Sequence, residues 1–200
     1  GGVLVQGPVT LDPPGDNGSA NRGPGLLSSG GAWFVVWNTG SGLFVARVGA
    51  DLALDTDWAD GGFLKLQDSG GNHPEIAAGP SGRLAVVWGE TQWGVSIFDG
   101  ATAQVVAHTT MGCASGAGSN GDGHDITWNN AKGEFGVLVS GQGTGLCDKP
   151  QGQVDVTETL HRLSPEGAFI GGPLSVMCGY TIGAGHRGGV TAKPDGTYVV

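Results

Sequence analysis

Short apolar runs separated by glycine-rich turns follow one another along the whole chain. One unit extends from His73 to Trp88, with a short strand pattern, a turn at Gly82 and a strongly apolar second run. The same arrangement recurs around Gly31 and Gly133, so the turn glycines lie 51 residues apart both times (31 to 82 and 82 to 133). A further hairpin pattern surrounds Gly196. Recurrence at this period indicates an architecture built from repeats.

Two more strand patterns follow each complete hairpin, which gives four short strands in about 50 residues. This favours an all-β protein of the β-propeller type, built from four-stranded blades. Regular strand spacing also suits a β-sandwich, which is the alternative. The repeat units run roughly over 22–71, 72–122, 123–185 and 186–200, the last of them partial, and 3–11 is predicted as a stray outer strand. We therefore expect an incomplete portion of a larger or multi-chain propeller, completed by another polypeptide segment or chain. The later strands are predicted at 43–48, 63–66, 95–98, 104–107, 156–163 and 169–176.

The turn formed by Pro194, Asp195 and Gly196, followed by an apolar strand, resembles the repeats of TolB-like propellers. The glycine-turn hairpins are similar to those of other secreted bacterial propellers. The resemblance implies the fold but no particular activity, since propellers serve as enzymes, lectins and scaffolds.

Composition narrows the function classes. Glycine provides 41 of the 200 residues, which suits many tight turns. The net charge of −9, with only 9 Lys and Arg residues, argues against nucleic acid and anionic membranes as partners. No apolar run approaches the ~20 residues of a membrane-spanning helix. Scarce lysine and three cysteines in predicted loops favour a secreted, periplasmic or cell-surface protein.

The residues best suited to bind a ligand are predicted where the first strands of the blades begin. Arg22, His73, His124 and Arg187 occupy the same repeat position, and His186 precedes the last of them. If the first strands line a central channel, these side chains form a ring at its top face. Such a ring would bind a small anion, a carboxylate or a glycan. A weaker metal hypothesis uses His73, His124 and Asp122. Capping of strand ends is the structural alternative.

Three tryptophans raise the question of aromatic binding. Trp37 and Trp88 close the second strand of successive repeats, which is typical of packing between blades. Trp93 is predicted in a loop just after, where an exposed indole would stack on a sugar or anchor a partner.

Motifs of hydrolases, metalloproteases and phosphate-binding loops are absent from the sequence, and the spacing of Glu75, Glu90, Asp122 and Asp125 singles out no glycosidase pair. Acidic, glycine-rich segments at 12–18 and 119–125 are weak candidates for Ca²⁺, and no other cofactor is expected. The sequence favours a non-enzymatic binding or scaffold domain, with a carbohydrate-active protein, lectin or glycosidase, as the alternative.

The three cysteines form no Cys-x-x-Cys motif. A disulfide between Cys113 and Cys147 is predicted, because the loop leaving a second strand should lie beside the loop entering the first. Cys178 is the alternative partner.

Overall fold

A computed structural model describes residues 10–11, 13, 23–68, 72–89, 92–113, 123–142, 154–181 and 188–200. These residues form three four-stranded antiparallel sheets and one two-stranded sheet, with a 3-10 turn at Pro80–Gly82 and no α-helix. Nothing in these ranges is a helix of the length and apolarity that crossing a bilayer would require. The all-β prediction is confirmed. Sheet 1 contains β1 (Gly25–Ser29), β2 (Ala32–Thr39), β3 (Gly42–Val48) and β4 (Phe63–Gln67); sheet 2 contains β5 (Asn72–Ala78), β6 (Arg83–Gly89), β7 (Gln92–Asp99) and β8 (Val105–Cys113); sheet 3 contains β9 (His124–Asn129), β10 (Glu134–Gln142), β11 (Val154–Leu163) and β12 (Leu174–Thr181); sheet 4 contains β13 (Thr191–Ala192) and β14 (Tyr198–Val199).

Each sheet is a meander in which sequential strands pair with one another. The predicted hairpins form between β1 and β2, β5 and β6, β9 and β10, and β13 and β14. Their turns contain Gly31, Gly82, Gly133 and Gly196, with φ of 78°, 77°, 66° and 83°. A side chain rarely adopts this left-handed conformation, so the repeated glycine is a backbone requirement of the hairpin.

The outer strand of sheet 3 begins later than the sequence predicts. Strand β12 starts at Leu174, whereas the apolar pattern predicted a strand over 169–176. Gly171 has a φ of 72°, and Pro173 has no N–H to donate to a ladder, so the chain turns before it pairs. Phe169 pairs with Leu163 in an isolated bridge outside the strands.

The core lies between successive sheets, and alternate residues of each second strand point to opposite neighbours. In β6, Leu84 and Val86 pack with residues of sheet 1, while Ala85 and Val87 pack with residues of sheet 3. Leu138 of β10 packs with Val190, just before β13, and with Tyr198 of β14. Sheets 2 and 3 therefore pack against a neighbour on each face, which explains why the second strands β6 and β10 carry continuous apolar runs rather than an alternating pattern.

The remaining face of sheet 1 carries a smaller cluster of Trp37, Phe44, Ala46 and Phe63. Leu11 packs against this cluster. The rest of the predicted outer strand, residues 3–9, lies outside the described residues, as do 12 and 14–18 of the first Ca²⁺ candidate and 119–122 of the second.

Candidate functional site

The first strands of the four sheets lie side by side, in the order β1, β5, β9 and β13. A Cβ added at Gly25 would lie 2.6 Å from the carbonyl oxygen of Pro74, so β1 and β5 approach closely where both begin. The Nε2 of His124, at the start of β9, hydrogen-bonds the carbonyl oxygen of His73. Asp125 Oδ2 accepts a hydrogen bond of 2.7 Å from the Val190 N–H, just before β13. We call residues 23–25, 73–74, 124–125 and 188–190 the leading-end cluster.

His73 lies in this cluster on a distorted piece of backbone. Its φ is 44°, and the pairing of β5 with β6 shifts register between Asn72 and Glu75. Such an irregularity turns a side chain away from the regular alternation of the strand. A left-handed conformation costs free energy for a residue with a Cβ, and it persists only where neighbouring contacts impose it. His73 itself is half-buried.

His124 supplies one of those contacts. A carbonyl oxygen can only accept, so His124 Nε2 carries the proton of the bond to His73. The His124 ring lies 4.7 Å, between centroids, from the ring of Trp93, and the residue is only 6% exposed. His124 thus fixes the backbone of His73 through this hydrogen bond, and His73 is the more exposed of the two residues.

Trp93 differs from its predicted setting. It lies within β7 and not in a loop, and only 3% of it is exposed. Trp93 pairs across the sheet with Gly89, and Trp88 pairs with Gly94. A Cβ at Gly89 would come within 1.9 Å of the Trp93 ring, and one at Gly94 within 2.2 Å of the Trp88 ring. The two glycines make room for the indoles, so Trp93 is a packing residue that supports His124 and offers no ring to a ligand.

Asp125, one of the carboxylates whose spacing singles out no glycosidase pair, has a structural role. Its Oδ1 accepts a bond of 2.8 Å from the Ile126 N–H, and its Oδ2 accepts the Val190 bond. Both oxygens thus bind backbone, and the residue ties β9 to the segment that leads into β13. The adjacent pair His124 and Asp125 links β9 to the first strand on either side, a role that only the register reveals.

The other predicted members of the ring adjoin this cluster in sequence. Arg22 precedes Gly23, and His186 and Arg187 precede Gly188, but all three lie outside the described residues. Asp122, Glu90 and Cys147 lie outside them as well, and the side chains of Cys113 and Cys178 are not among those described. The disulfide therefore stays a prediction. In the described ranges, no three His, Cys, Asp or Glu side chains group as metal ligands would.

A second polar cluster lies at the opposite end of β9 and β10, and sequence reasoning missed it. Glu134 is 3% exposed, and its Oε1 accepts a 3.1 Å hydrogen bond from the Tyr198 hydroxyl. Arg162 Nη1 lies 3.8 Å from Glu134 Oε2. Burial, with a smaller contribution from Glu134, raises the pKa of Tyr198 to about 12. The cluster joins sheet 3 to sheet 4, and no motif in the sequence around its residues predicts it.

A small cavity lies between sheets 1 and 2, beside the hairpin turns that contain Gly30 and Gly82. Its volume is about 110 Å³, and Arg47 enters it with a 3.2 Å ion pair to Asp55. Room for only a few water molecules makes it a poor binding site. Ser29, Gly30, Phe34, Arg47, Gly82, Leu84, Gly100 and Ala101 line it.

Comparisons with known proteins leave the function open. No family model and no curated protein matches the sequence. Among solved structures, a chain described as a glycoside hydrolase aligns with 73% of this chain at 16% identity and a TM-score of 0.41. The aligned region covers 33% of that chain, so this chain spans about a third of its length.

Proposed function

We propose that the described sheets are consecutive blades of a β-propeller. Three features support this arrangement: each sheet is a sequential meander, the first strands adjoin one another in order, and sheets 2 and 3 are buried on both faces. A β-sandwich buries one face of each sheet and leaves the other in water. The packing of Leu84 and Ala85 of β6 against different neighbours therefore favours the propeller.

We further propose that the chain is a non-enzymatic binding domain, and that the leading-end cluster binds small anions or carboxylates. The observation that carries this proposal is the half-exposed imidazole of His73, held on a left-handed backbone by His124. Non-glycine residues in this conformation are enriched at ligand-binding and active sites. The site requires positive charge, which a protonated imidazole supplies and which Arg22 and Arg187, next to the cluster in sequence, would increase.

The carboxylate next to His124 in sequence is already engaged by backbone donors. Asp125 is occupied by two backbone N–H groups, which spread its charge. The chain as a whole carries −9, so a local positive spot would attract anions only at short range. We therefore expect selectivity for compact anions and for the carboxylate of acidic sugars over neutral sugars.

Calorimetric titration with inorganic phosphate, acetate and glucuronate, each at two pH values on either side of 6.5, tests the proposal. Binding should strengthen at the lower pH, because a protonated imidazole adds a positive charge that an anion can bind. His73→Gln should remove this gain, whereas His161→Gln, on the third strand of sheet 3, should keep it. No heat from any anion at either pH would contradict the proposal. Release of products from a glucuronide would favour the carbohydrate-active alternative.

A further inference from the structure

A buried amide without a hydrogen-bond partner lies in β2, near the end of the strand that adjoins the start of β1. Asn38 is 2% exposed, and its buried Oδ1 accepts no hydrogen bond from the described residues. Such an acceptor costs free energy, because folding removes its hydrogen bonds to water and does not replace them. Native structures contain few atoms of this kind, so each one calls for an explanation.

The side chain of Asn38 points toward sheet 2. Alternate residues of a strand share a face, and Val36 belongs to the core cluster that sheets 1 and 2 share. Gly25 of β1 lies opposite Val36. A Cβ added at Gly25 would lie 2.8 Å from Val36 Cγ1 and 2.6 Å from the carbonyl oxygen of Pro74. Strand β2 and the start of β5 therefore converge over the glycine between them.

Two residues further toward the leading end, the same arrangement brings Asn38 and His73 together. The β1–β2 register, continued by two residues, sets Gly23 opposite Asn38. A Cβ added at Gly23 would lie 3.6 Å from His73 Nδ1, and apart from chain neighbours no other atom of the described residues lies within 4 Å of it. Gly23 is exposed. Within the described part of the chain, there is thus room over Gly23 between the imidazole and the amide.

A second unpartnered amide follows in the same row of sheet 1. Gln67 pairs with Leu43, which in turn pairs with Asn38. The Nε2 of Gln67 is buried and donates to no acceptor among the described residues. An unpartnered acceptor and an unpartnered donor in one row suit hydroxyl groups, which both donate and accept. A carboxylate oxygen only accepts, so it cannot satisfy Asn38 Oδ1.

We propose that the leading-end cluster binds hydroxy carboxylates, such as uronic acids, with the carboxylate at His73 and a hydroxyl that donates to Asn38 Oδ1. The inference rests on the proposed anion binding by His73 and adds the group that selects among anions. An anion without a hydroxyl would displace water from the site and leave the buried amide unsatisfied, so it should bind more weakly.

Calorimetric titration with acetate and glycolate, which differ by one hydroxyl, tests the proposal. Glycolate should bind about tenfold more tightly, the effect of a hydrogen bond to a buried acceptor. Asn38→Leu, which replaces the amide with an apolar group of similar size, should reduce glycolate binding to the level of acetate. Asn130→Leu, at an exposed asparagine between β9 and β10, is the matched control and should keep the preference.

Asn38→Ala removes the amide without adding bulk, and the preference for glycolate should vanish in it as well. Circular dichroism checks that each variant is folded. Equal affinities of the unmodified protein for acetate and glycolate overturn this proposal alone, as does a preference that survives both substitutions of Asn38. A preference for glycolate that does not strengthen on acidification contradicts only the role of His73. Absence of heat from both ligands removes the two proposals together.

Discussion

The contact between Phe135 of β10 and Gly79 joins sheet 3 to sheet 2. Mutation of these two residues therefore measures how strongly the two sheets are coupled. Phe135 is fully buried, and a Cβ added at Gly79 would lie 2.5 Å from its Cζ. Gly79 has a φ of −103°, which any residue can adopt, so Gly79→Ala tests the contact and not the backbone. The expected loss is about 1–3 kcal/mol from overpacking.

Phe135→Ala should cost about 3–5 kcal/mol, because a buried ring is lost and a cavity remains. In that background the methyl of Gly79→Ala enters the cavity, so its own cost should vanish. The double variant should therefore be more stable than the sum of the single changes by about 1–3 kcal/mol. In a chain of this size, 1 kcal/mol corresponds to roughly 2–4 °C in Tm.

Urea unfolding of the four proteins gives the coupling energy. Gly172→Ala, with no atom within 4 Å of the added Cβ, is the control and should change stability little. A coupling near zero, with both single variants folded, would show that Gly79 and Phe135 do not touch. The packing of sheet 2 against sheet 3 would then be refuted.

Three further predictions concern titration and redox state. Burial lowers the pKa of His161, so the free energy of unfolding should fall as pH drops below about 6.5. In urea unfolding at several pH values, His161→Gln should reduce the dependence of this free energy on pH. The same dependence in both proteins would contradict the burial of His161. Tyr198 should ionise near pH 12, and the fold should lose stability between pH 10 and 12. Spectrophotometric titration of Tyr198→Phe should lack the transition near pH 12. Non-reducing peptide mapping should find Cys147 bridged to Cys113, a bond worth about 3–4 kcal/mol by chain entropy, and three free thiols would count against both the bridge and the proposed secretion.

The hairpins could be predicted from the sequence because a backbone constraint repeats in it. Gly31, Gly82 and Gly133 adopt left-handed conformations that glycine reaches more easily than any residue with a Cβ, and the apolar strands on either side mark the sheets. The start of β12 could not be predicted in the same way. Its apolar run extends through a turn at Gly171 and Pro173, and hydrophobicity alone does not distinguish a strand from an apolar turn.

The candidate site was harder to predict, because its geometry depends on register between strands. Repeat alignment brings His73 and His124 to equivalent positions, but it cannot show that one imidazole supports the backbone of the other. Nor does it reveal that Trp93 lies over Gly89. Glu134, Tyr198 and Arg162 are far apart in sequence and meet only through packing of sheets 3 and 4.

The turn glycines have a consequence for protein engineering. Around Gly31, Gly82 and Gly133 no atom lies within 4 Å of an added Cβ, and all three turns are exposed. They lie at the ends of the first strands opposite to His73 and His124. Exposed hairpin tips of this kind accept inserted peptides with little effect on the strands that they connect. Epitopes or fluorescent tags could therefore be grafted at three regularly spaced positions, turning the sheet series into a display scaffold whose other end is left untouched.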